Sequence, residues 1–300
     1  MTSPNPPREV RTSRLFPVVT GACLLHPEGS AAELLASLNA ARAGNASASA
    51  DRAAADPVAS LAGRFPRGSL RRMPIYARTG LAAAIGALEE AGAWPCPEQT
   101  GLVIGTFFGC QKTSLDYVDS ILDDGPRLSS PTSFSHAVNN MACGLLSLML
   151  GLKGPCMTVC NQELSFAGAL AAAGAMLLTG RCERVLCGAL DEADERLQAV
   201  FPDIPLSGRT AFFLCLEAGD SGIACDCAWR AEGPDGTLAV TQADGAEAAL
   251  PVSALGGAAL SQAAGLALGL EAVRGGARRA SVRATAKHSG LSATLTLQRI

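Results

Sequence analysis

Apolar residues along the chain fall into two patterns. Short continuous runs at "TGLVIGTFFG" (100–109), "RVLCGALDE" (184–192) and "RTAFFLCLEAG" (209–219) predict strands that are buried on both faces. Residues 72–93, 134–151 and 258–276 instead place apolar side chains at helical spacing, and each stretch closes at or beside a glycine. The alternation of the two patterns predicts a layered α/β fold with a mostly internal sheet.

The two ends of the chain have weaker patterns. Residues 1–14 are polar and rich in proline, and we expect them to be disordered. After a first short strand, Ser30 and Glu33 stand at the spacing of a capping box and mark the start of a helix. Residues 44–60 are low in sequence complexity and predict an exposed surface loop. Residues 281–300 predict a final β-hairpin.

One corner of the chain has the pattern of a nucleophile elbow. The segment "GPCMTVCNQELSFAGAL" (154–170) predicts a strand that turns sharply into a buried helix, which is where an acyl-transfer enzyme places its nucleophile. The turn holds Cys160, Asn161, Gln162 and Glu163, with Glu163 at the bend. A carboxylate at a helix N-terminus accepts unpaired N–H groups, so the plain interpretation of Glu163 is a helix cap.

Composition narrows the function classes. Of 300 residues 48% are hydrophobic and 17% charged, which is enough apolar chain for a large core, and the net charge of −3 gives no electrostatic case for nucleic acid. The longest apolar run, near residues 167–178, is too short for a membrane span, since about 20 residues are needed. The N-terminus does not have the pattern of a signal peptide.

The cysteines predict a reduced setting. There are 11 of them, without CxxC pairs or histidines at zinc spacing, so we expect no metal site, no cofactor and a cytoplasmic protein. Cys143, Cys187 and Cys215 lie in apolar runs, where cysteine packs as a small hydrophobe. Cys160 has no candidate base, so we expect a core cysteine there too rather than a displaced nucleophile.

The order of these elements resembles that of a β-ketoacyl synthase of the thiolase-like superfamily. The resemblance implies a layered α-β-α-β-α fold, with residues 15–223 as its N-terminal half and residues 224–300 as a shortened C-terminal half. It extends from about residue 15 to 220 and is patchy thereafter. It rests on "VVTGACLLHPEG" (18–29), "RMPIYARTGLAAAIGALEEAG" (72–92), "GLVIGTFFGC" (101–110), "SPTSFSHAVNNMACGLLSLMLGLKGP" (130–155) and "GRCERVLCGALDE" (180–192).

The resemblance also shows which catalytic parts are missing. The family's nucleophilic cysteine falls on Glu163, and neither of the family's two histidine motifs is found in the second half. The family's Lys-Ser-x-x-Gly-His segment is reduced to "VSALGG" (252–257), and His288 stands where the family has an aromatic residue. Condensation of two thioesters needs a thiolate and histidines that stabilise the enolate. We therefore expect no catalytic residue and no condensation by this chain alone.

This pattern of losses is similar to that of the ketosynthase chain length factors, which are inactive partners of active ketosynthases in type II polyketide and aryl-polyene pathways. The similarity implies a heterodimer with an active ketosynthase and an indirect contact with acyl carrier protein, for which Arg71 and Arg72 are candidates. The implied acyl pocket includes Phe134, Val138 and Met141. The implied interface includes His136 and the strand Cys156, Met157, Thr158 and Val159.

Two other functions stay open at this stage. A decarboxylase of malonyl carrier protein would use the Glu163 elbow, although an ionised carboxylate would repel the malonyl group. A homodimeric acyl-binding protein would use the family's acyl pocket for another ligand. The residues named for the pocket and the interface also have plain interpretations, as ordinary core for Phe134 and Met141 and as a surface turn for His136.

Overall fold

The computed structural model describes residues 15–25, 30–34, 36, 57–191, 194–200, 210–229, 237–241, 244, 246–251, 258–285 and 292–300. Within these residues the strands are β1 (Phe16–Leu25), β2 (Gly101–Gly105), β3 (Cys156–Val159), β4 (Arg184–Leu190), β5 (Ala211–Gly219), β6 (Ile223–Trp229), β7 (Thr237–Thr241), β8 (Glu247–Pro251), β9 (Arg279–Thr285) and β10 (Ser292–Arg299). They form one ten-stranded sheet in the order β3-β2-β4-β5-β1-β6-β10-β9-β7-β8.

The helices alternate with the strands, as the sequence predicts. They are α1 (Arg67–Arg72), α2 (Ile75–Glu90), α3 (Gln111–Asp124), α4 (Pro131–His136), α5 (Met141–Leu150), α6 (Ser165–Leu178), α7 (Glu195–Val200) and α8 (Ala258–Arg274). Two short 3-10 turns cover Pro57–Leu61 and Gln162–Leu164. Of the helices described, none combines the length and the apolar character needed to cross a bilayer.

The sheet divides into two sets of five strands. Strands β3-β2-β4-β5-β1 form the first set and β6-β10-β9-β7-β8 the second, and the sets meet where Val18 of β1 pairs with Ala224 of β6. Helices α6 and α8 contact strands of both sets and share one apolar cluster. Helices α2 and α5 cover the opposite face of the first set, around a second cluster.

Small residues allow close approach between these layers. Gly21 of β1 lies under α2, where an added Cβ would overlap the carbonyl oxygen of Ala87. Phe166 of α6 meets Phe212 of β5 edge to face, with 5.8 Å between ring centroids. Aromatic rings are few in this chain, so backbone proximity supplies much of the core contact.

Most predicted elements are present. The Ser30–Glu33 capping box is confirmed, with Ser30 N–H donating to Glu33 Oε2 at 2.9 Å and Glu33 N–H to Ser30 Oγ at 3.3 Å. The final hairpin is confirmed by the antiparallel pairing of β9 and β10. The single helix predicted over residues 134–151 is wrong, because α4 ends at His136 and α5 begins at Met141. The predictions for residues 1–14, most of 44–60, 252–257 and His288 lie outside the described residues.

Candidate functional site

The elbow forms at the carboxyl end of β3, where the chain turns into α6 within five residues. Gln162 has a φ of 48°, the only positive φ of a non-glycine residue in the described ranges. Ser165 Oγ accepts a hydrogen bond from Asn161 N–H at 2.8 Å and donates one to the Gln162 carbonyl at 2.6 Å. The left-handed residue of the bend is therefore Gln162, and Ser165 closes the turn around it.

The start of α6 lies directly on β2. A Cβ added to Gly105 would stand 2.7 Å from the Ser165 carbonyl oxygen and 2.8 Å from Phe166 N. Strand β2 is parallel to both β3 and β4, so the carboxyl ends of all three strands meet beside the elbow. Ligands of α/β proteins commonly bind at such an edge.

Glu163, which the family resemblance aligns with the nucleophile, lies in the short 3-10 turn of the elbow. Its Oε2 is buried and without a hydrogen-bond partner among the described residues, and no side chain caps α6. The predicted helix cap at Glu163 is thus wrong, because Ser165 already satisfies the turn. The carbonyl of Glu163 instead accepts a hydrogen bond from Nε2 of Gln262 on α8, a side chain that is only 3% exposed.

Gln262 was missed by the sequence reasoning, although a glutamine inside the mostly apolar helix 258–276 was a usable signal. Its Oε1 is also buried and has no partner within the described part of the chain. The oxygens of Glu163 and Gln262 are both acceptors. These two buried side-chain oxygens therefore cannot supply the donors that an oxyanion requires.

Asp191 was also missed, and it organises the neighbouring loop. It follows β4 directly and is 2% exposed. Its Oδ1 accepts hydrogen bonds from Thr106 Oγ1 at 2.5 Å, from the N–H groups of Phe107 and Phe108 at 2.8 Å and from Gly109 N–H at 3.3 Å. Burial raises the pKa of Asp191 to about 6, although these hydrogen bonds lower it. An acid placed directly after a wholly apolar strand run was its signal in the sequence.

Cys160 is exposed, so its prediction as a core cysteine is wrong. The reason is that β3 lies at the edge of the sheet, where the end of the strand is uncovered. Burial of part of the side chain raises the pKa of the Cys160 thiol, and the Asp191 carboxylate raises it further. A raised pKa disfavours the thiolate, which is the nucleophilic form. By contrast, Cys143, Cys187 and Cys215 are buried, as predicted.

The predicted interface strand is an open edge. Among the described residues β3 pairs with β2 on one side only. Cys156 and Met157 are exposed, while Thr158 and Val159 are half-buried. Helix α5 packs beside the strand, where Cys143 Sγ lies 3.6 Å from the Met157 carbonyl oxygen. His136, the other predicted interface residue, is half-buried at the end of α4.

Among the described residues, the three predicted pocket residues lie in different surroundings, two on the surface and one in the core. Phe134 and Val138 are on the surface, 64% and 49% exposed, and the Phe134 ring contacts Tyr117 with 5.6 Å between centroids. Met141 is 6% exposed and packs in the cluster between α2 and the sheet. Arg71 and Arg72 are exposed in the last turn of α1. Within the described ranges, no three His, Cys, Asp or Glu residues are grouped as a metal ion would require.

Comparison with known proteins identifies one family that this chain matches. The family described as "Beta-ketoacyl synthase, N-terminal domain" matches residues 29–224. The 3-oxoacyl-[acyl-carrier-protein] synthase 2 of Vibrio harveyi is 28% identical over 131 residues, which are 42% of this chain and 31% of that protein. The protein of the same name from Synechocystis sp. is 30% identical over 96 residues, 32% of this chain and 23% of its own length. The matches thus span less than a third of these curated relatives.

Solved structures extend the likeness in fold to nearly the whole chain. The ishigamide ketosynthase/chain length factor superposes with a TM-score of 0.72 at 20% identity, covering 95% of this chain and 99% of the other. A ketosynthase in complex with its chain length factor from Xenorhabdus doucetiae gives 0.65 at 17% identity, covering 95% and 100%. A type II acyl-carrier protein in complex with its ketosynthase gives 0.69 at 14% identity, covering 96% and 100%. The predicted thiolase-like fold class is confirmed.

Proposed function

The chain belongs to the beta-ketoacyl synthase family, and from that premise we propose that it is a catalytically inactive, chain-length-factor-type subunit that pairs with an active ketosynthase. One observation carries the proposal: Glu163, which the resemblance aligns with the family's nucleophile, stands at the elbow with a buried Oε2 that has no hydrogen-bond partner among the described residues. A carboxylate there cannot form the acyl thioester through which condensation proceeds. The structural neighbours that are complexes of a ketosynthase with a chain length factor support the same assignment.

The geometry argues against the decarboxylase alternative. Decarboxylation of a malonyl group develops charge on an enolate oxygen, which needs donors aimed at it. Glu163 Oε2 and Gln262 Oε1 are both buried acceptors without partners in the described chain. Incubation with malonyl carrier protein should therefore leave it unchanged. Formation of acetyl carrier protein that is lost in Glu163→Ala would favour the decarboxylase instead.

The proposed contact with the ketosynthase is the free edge of β3. The carbonyls of Pro155 and Val159 accept hydrogen bonds from Leu102 and Thr106 across the β2 side of the strand. Backbone groups alternate in direction along a strand, so those of Cys156 and Thr158 point to the open side. A strand of the partner added there would extend one sheet through both subunits.

The surface positions of Phe134 and Val138 fit a pocket that two subunits share. Side chains that project from this chain can form part of the wall of a chamber on the partner. We assign that chamber to the acyl or polyene chain carried by an acyl carrier protein, in type II polyketide or aryl-polyene-type biosynthesis, with Arg71 and Arg72 as secondary contacts. The 11 cysteines are all free thiols, in keeping with a reduced, cytoplasmic protein.

Co-expression with a ketosynthase from the same genome tests the proposal. The wild-type chain should co-purify with it as a stable heterodimer. Thr158→Pro should abolish the complex, because it removes an N–H from the open edge while leaving the pairing with β2 intact. Thr158→Val is the matched control and should retain binding. A wild-type chain that forms only a homodimer and never joins a ketosynthase would refute the proposal.

A further inference from the structure

Two cysteine thiols meet where helix α5 packs beside the edge strand β3. Cys143 lies on α5, and Cys156 is the first residue of β3. The two thiols are hydrogen-bonding partners of each other. Cys143 Sγ also lies 3.6 Å from the carbonyl oxygen of Met157, and Cys156 Sγ lies 3.6 Å from that of Gly154. Contact between two cysteine side chains is the first geometric requirement for a disulfide bond.

The two thiols of this pair differ in exposure. All 11 cysteines are free thiols, and two of them, Cys156 and Cys160, are exposed. Cys143 is 4% exposed and belongs to the apolar cluster between α2 and the sheet. A reagent in solution therefore reaches Cys156 before it reaches Cys143. An exposed thiol in contact with a buried one has the arrangement of an attacking cysteine and a resolving cysteine.

The surroundings of the pair indicate which thiol reacts first. Burial raises the pKa of Cys156, whereas hydrogen bonds with Ser147 and Cys143 lower it. Burial raises the pKa of Cys143 to about 12. The thiolate is the reactive form of cysteine, so the exposed and hydrogen-bonded Cys156 is the attacking thiol. Because the raised pKa values keep both thiols protonated at neutral pH, we expect their reactions to be faster at mildly alkaline pH.

Cys160, the other exposed cysteine, has different surroundings. It follows the last residue of β3, and its thiol hydrogen-bonds the side chain of Asn139 rather than another thiol. A small disulfide that attacks Cys160 should therefore form a mixed disulfide and react no further. Cys160 thus offers a comparison for Cys156, because both are exposed and both stand at an end of the same strand.

We propose that Cys143 and Cys156 form a thiol–disulfide exchange site, at which a low-molecular-weight disulfide closes an intramolecular disulfide between α5 and β3. In the first step the Cys156 thiolate attacks one sulfur of the small disulfide, which gives a mixed disulfide and releases one thiolate. In the second step the Cys143 thiolate attacks the Cys156 sulfur and releases the second thiolate. The two cysteines are oxidised, the small disulfide is reduced to two thiols, and these thiols take up the two cysteine protons.

The site is accessible in the free chain. Among the described residues β3 pairs with β2 on one side only, and Cys156 is exposed at the start of the strand. The inference goes beyond the proposed function and does not depend on it, because the reaction needs only this chain and a small disulfide. On the proposed function, a partner strand added to β3 would cover Cys156. Oxidation of the pair would then be confined to the subunit before it joins the ketosynthase.

The test treats the purified full chain with oxidised glutathione at mildly alkaline pH and maps its disulfides by mass spectrometry of unreduced tryptic peptides. Trypsin cuts after Lys153, so Cys143 and Cys156 fall on different peptides, which the proposed disulfide would join. Wild type should give the joined peptides. Cys143→Ala should stop at a glutathione adduct on Cys156, and Cys156→Ser should lose the disulfide and leave Cys143 unmodified. Cys160→Ser is the matched control and should form the disulfide as wild type does.

Three outcomes would overturn the inference. The first is a wild-type chain in which both thiols stay reduced, and the second is one that accumulates only a glutathione adduct on Cys156. The third is a covalent dimer linked through Cys156, since that thiol would then pair with a second copy instead of Cys143. None of these outcomes bears on the association with a ketosynthase, which the co-expression experiment tests separately.

Discussion

Asp191 shows how much of the site depends on one buried carboxylate. Its Oδ1 collects four donors from the loop that follows β2, so Asp191→Ala would leave several buried donors without an acceptor. We expect Asp191→Ala to lower the free energy of unfolding by about 3 kcal/mol or more, measured by urea denaturation. Asp191→Asn keeps an acceptor oxygen and should lose much less. Equal losses in the two variants would contradict this account.

The same residue predicts a pH dependence of stability. Burial raises the pKa of Asp191 to about 6, above its ordinary value of 3.8. A raised folded-state pKa means that the native protein binds the proton more tightly, so this contribution is present below about pH 4 and is lost as pH rises through 6. The loss amounts to about 3 kcal/mol. The difference in unfolding free energy between wild type and Asp191→Asn should therefore change across this range, and a constant difference would refute the assignment.

Local sequence found part of the site and missed the rest for a physical reason. Cys160 to Glu163 were identified because strand, turn and helix follow one another within a single segment. Asp191 and Gln262 reach the elbow from 28 and 99 positions along the chain, so only the folded sheet brings them there. Glu163 was expected to cap α6, but a serine two residues later closes the turn.

At the scale of elements, the packing of α6 on β2 has a direct test. Gly105→Ala should destabilise the protein by about 3 kcal/mol, because the new Cβ would press on backbone atoms of Ser165 and Phe166 that cannot move aside. Gly144→Ala is the matched control, since nothing lies within 4 Å of an added Cβ in the middle of α5. That variant should gain about 0.5–1 kcal/mol from helix propensity. Thermal unfolding of both variants measures these changes in stability. A Gly105→Ala variant as stable as the wild type would contradict the close packing of α6 on β2.

Periodicity predicted which elements exist better than where they end. The buried strands β2, β4 and β5 follow from continuous apolar runs, which need no knowledge of neighbours. The boundary between α4 and α5 was missed because Ala137 and Val138 continue the apolar spacing across it. Cap chemistry could have marked the start of α4, where Ser130 Oγ accepts from Ser133 N–H at 3.2 Å ahead of Pro131.

At the scale of the whole molecule, the two sets of strands are covered unequally. Helices α2 and α5 cover one face of the first set. In the second set, strand β10 buries only one of its faces, with Ala293, Leu295 and Leu297. The residues on its other face, Thr294 and Thr296, are half-buried. The alternating sequence of β10 already predicts one solvated face. That β3 is an edge of the sheet was implied only by the family resemblance, because the order of strands in a sheet depends on crossovers that periodicity does not encode.

The exposed Phe134 ring leads to a prediction for the assembled complex. Because Phe134 projects from the surface of α4 and contacts only Tyr117 among the aromatic rings described, its bulk can limit a growing chain only inside a chamber completed by the partner. Phe134→Ala in the reconstituted complex should therefore shift the products to longer chains, measured by mass spectrometry of the material released from the carrier protein. Val200→Ala, on the 69% exposed side chain at the end of α7, is the control and should leave the distribution unchanged. An intact heterodimer with an unaltered product distribution in Phe134→Ala would show that the ring serves docking alone, and control of chain length would then belong to the ketosynthase.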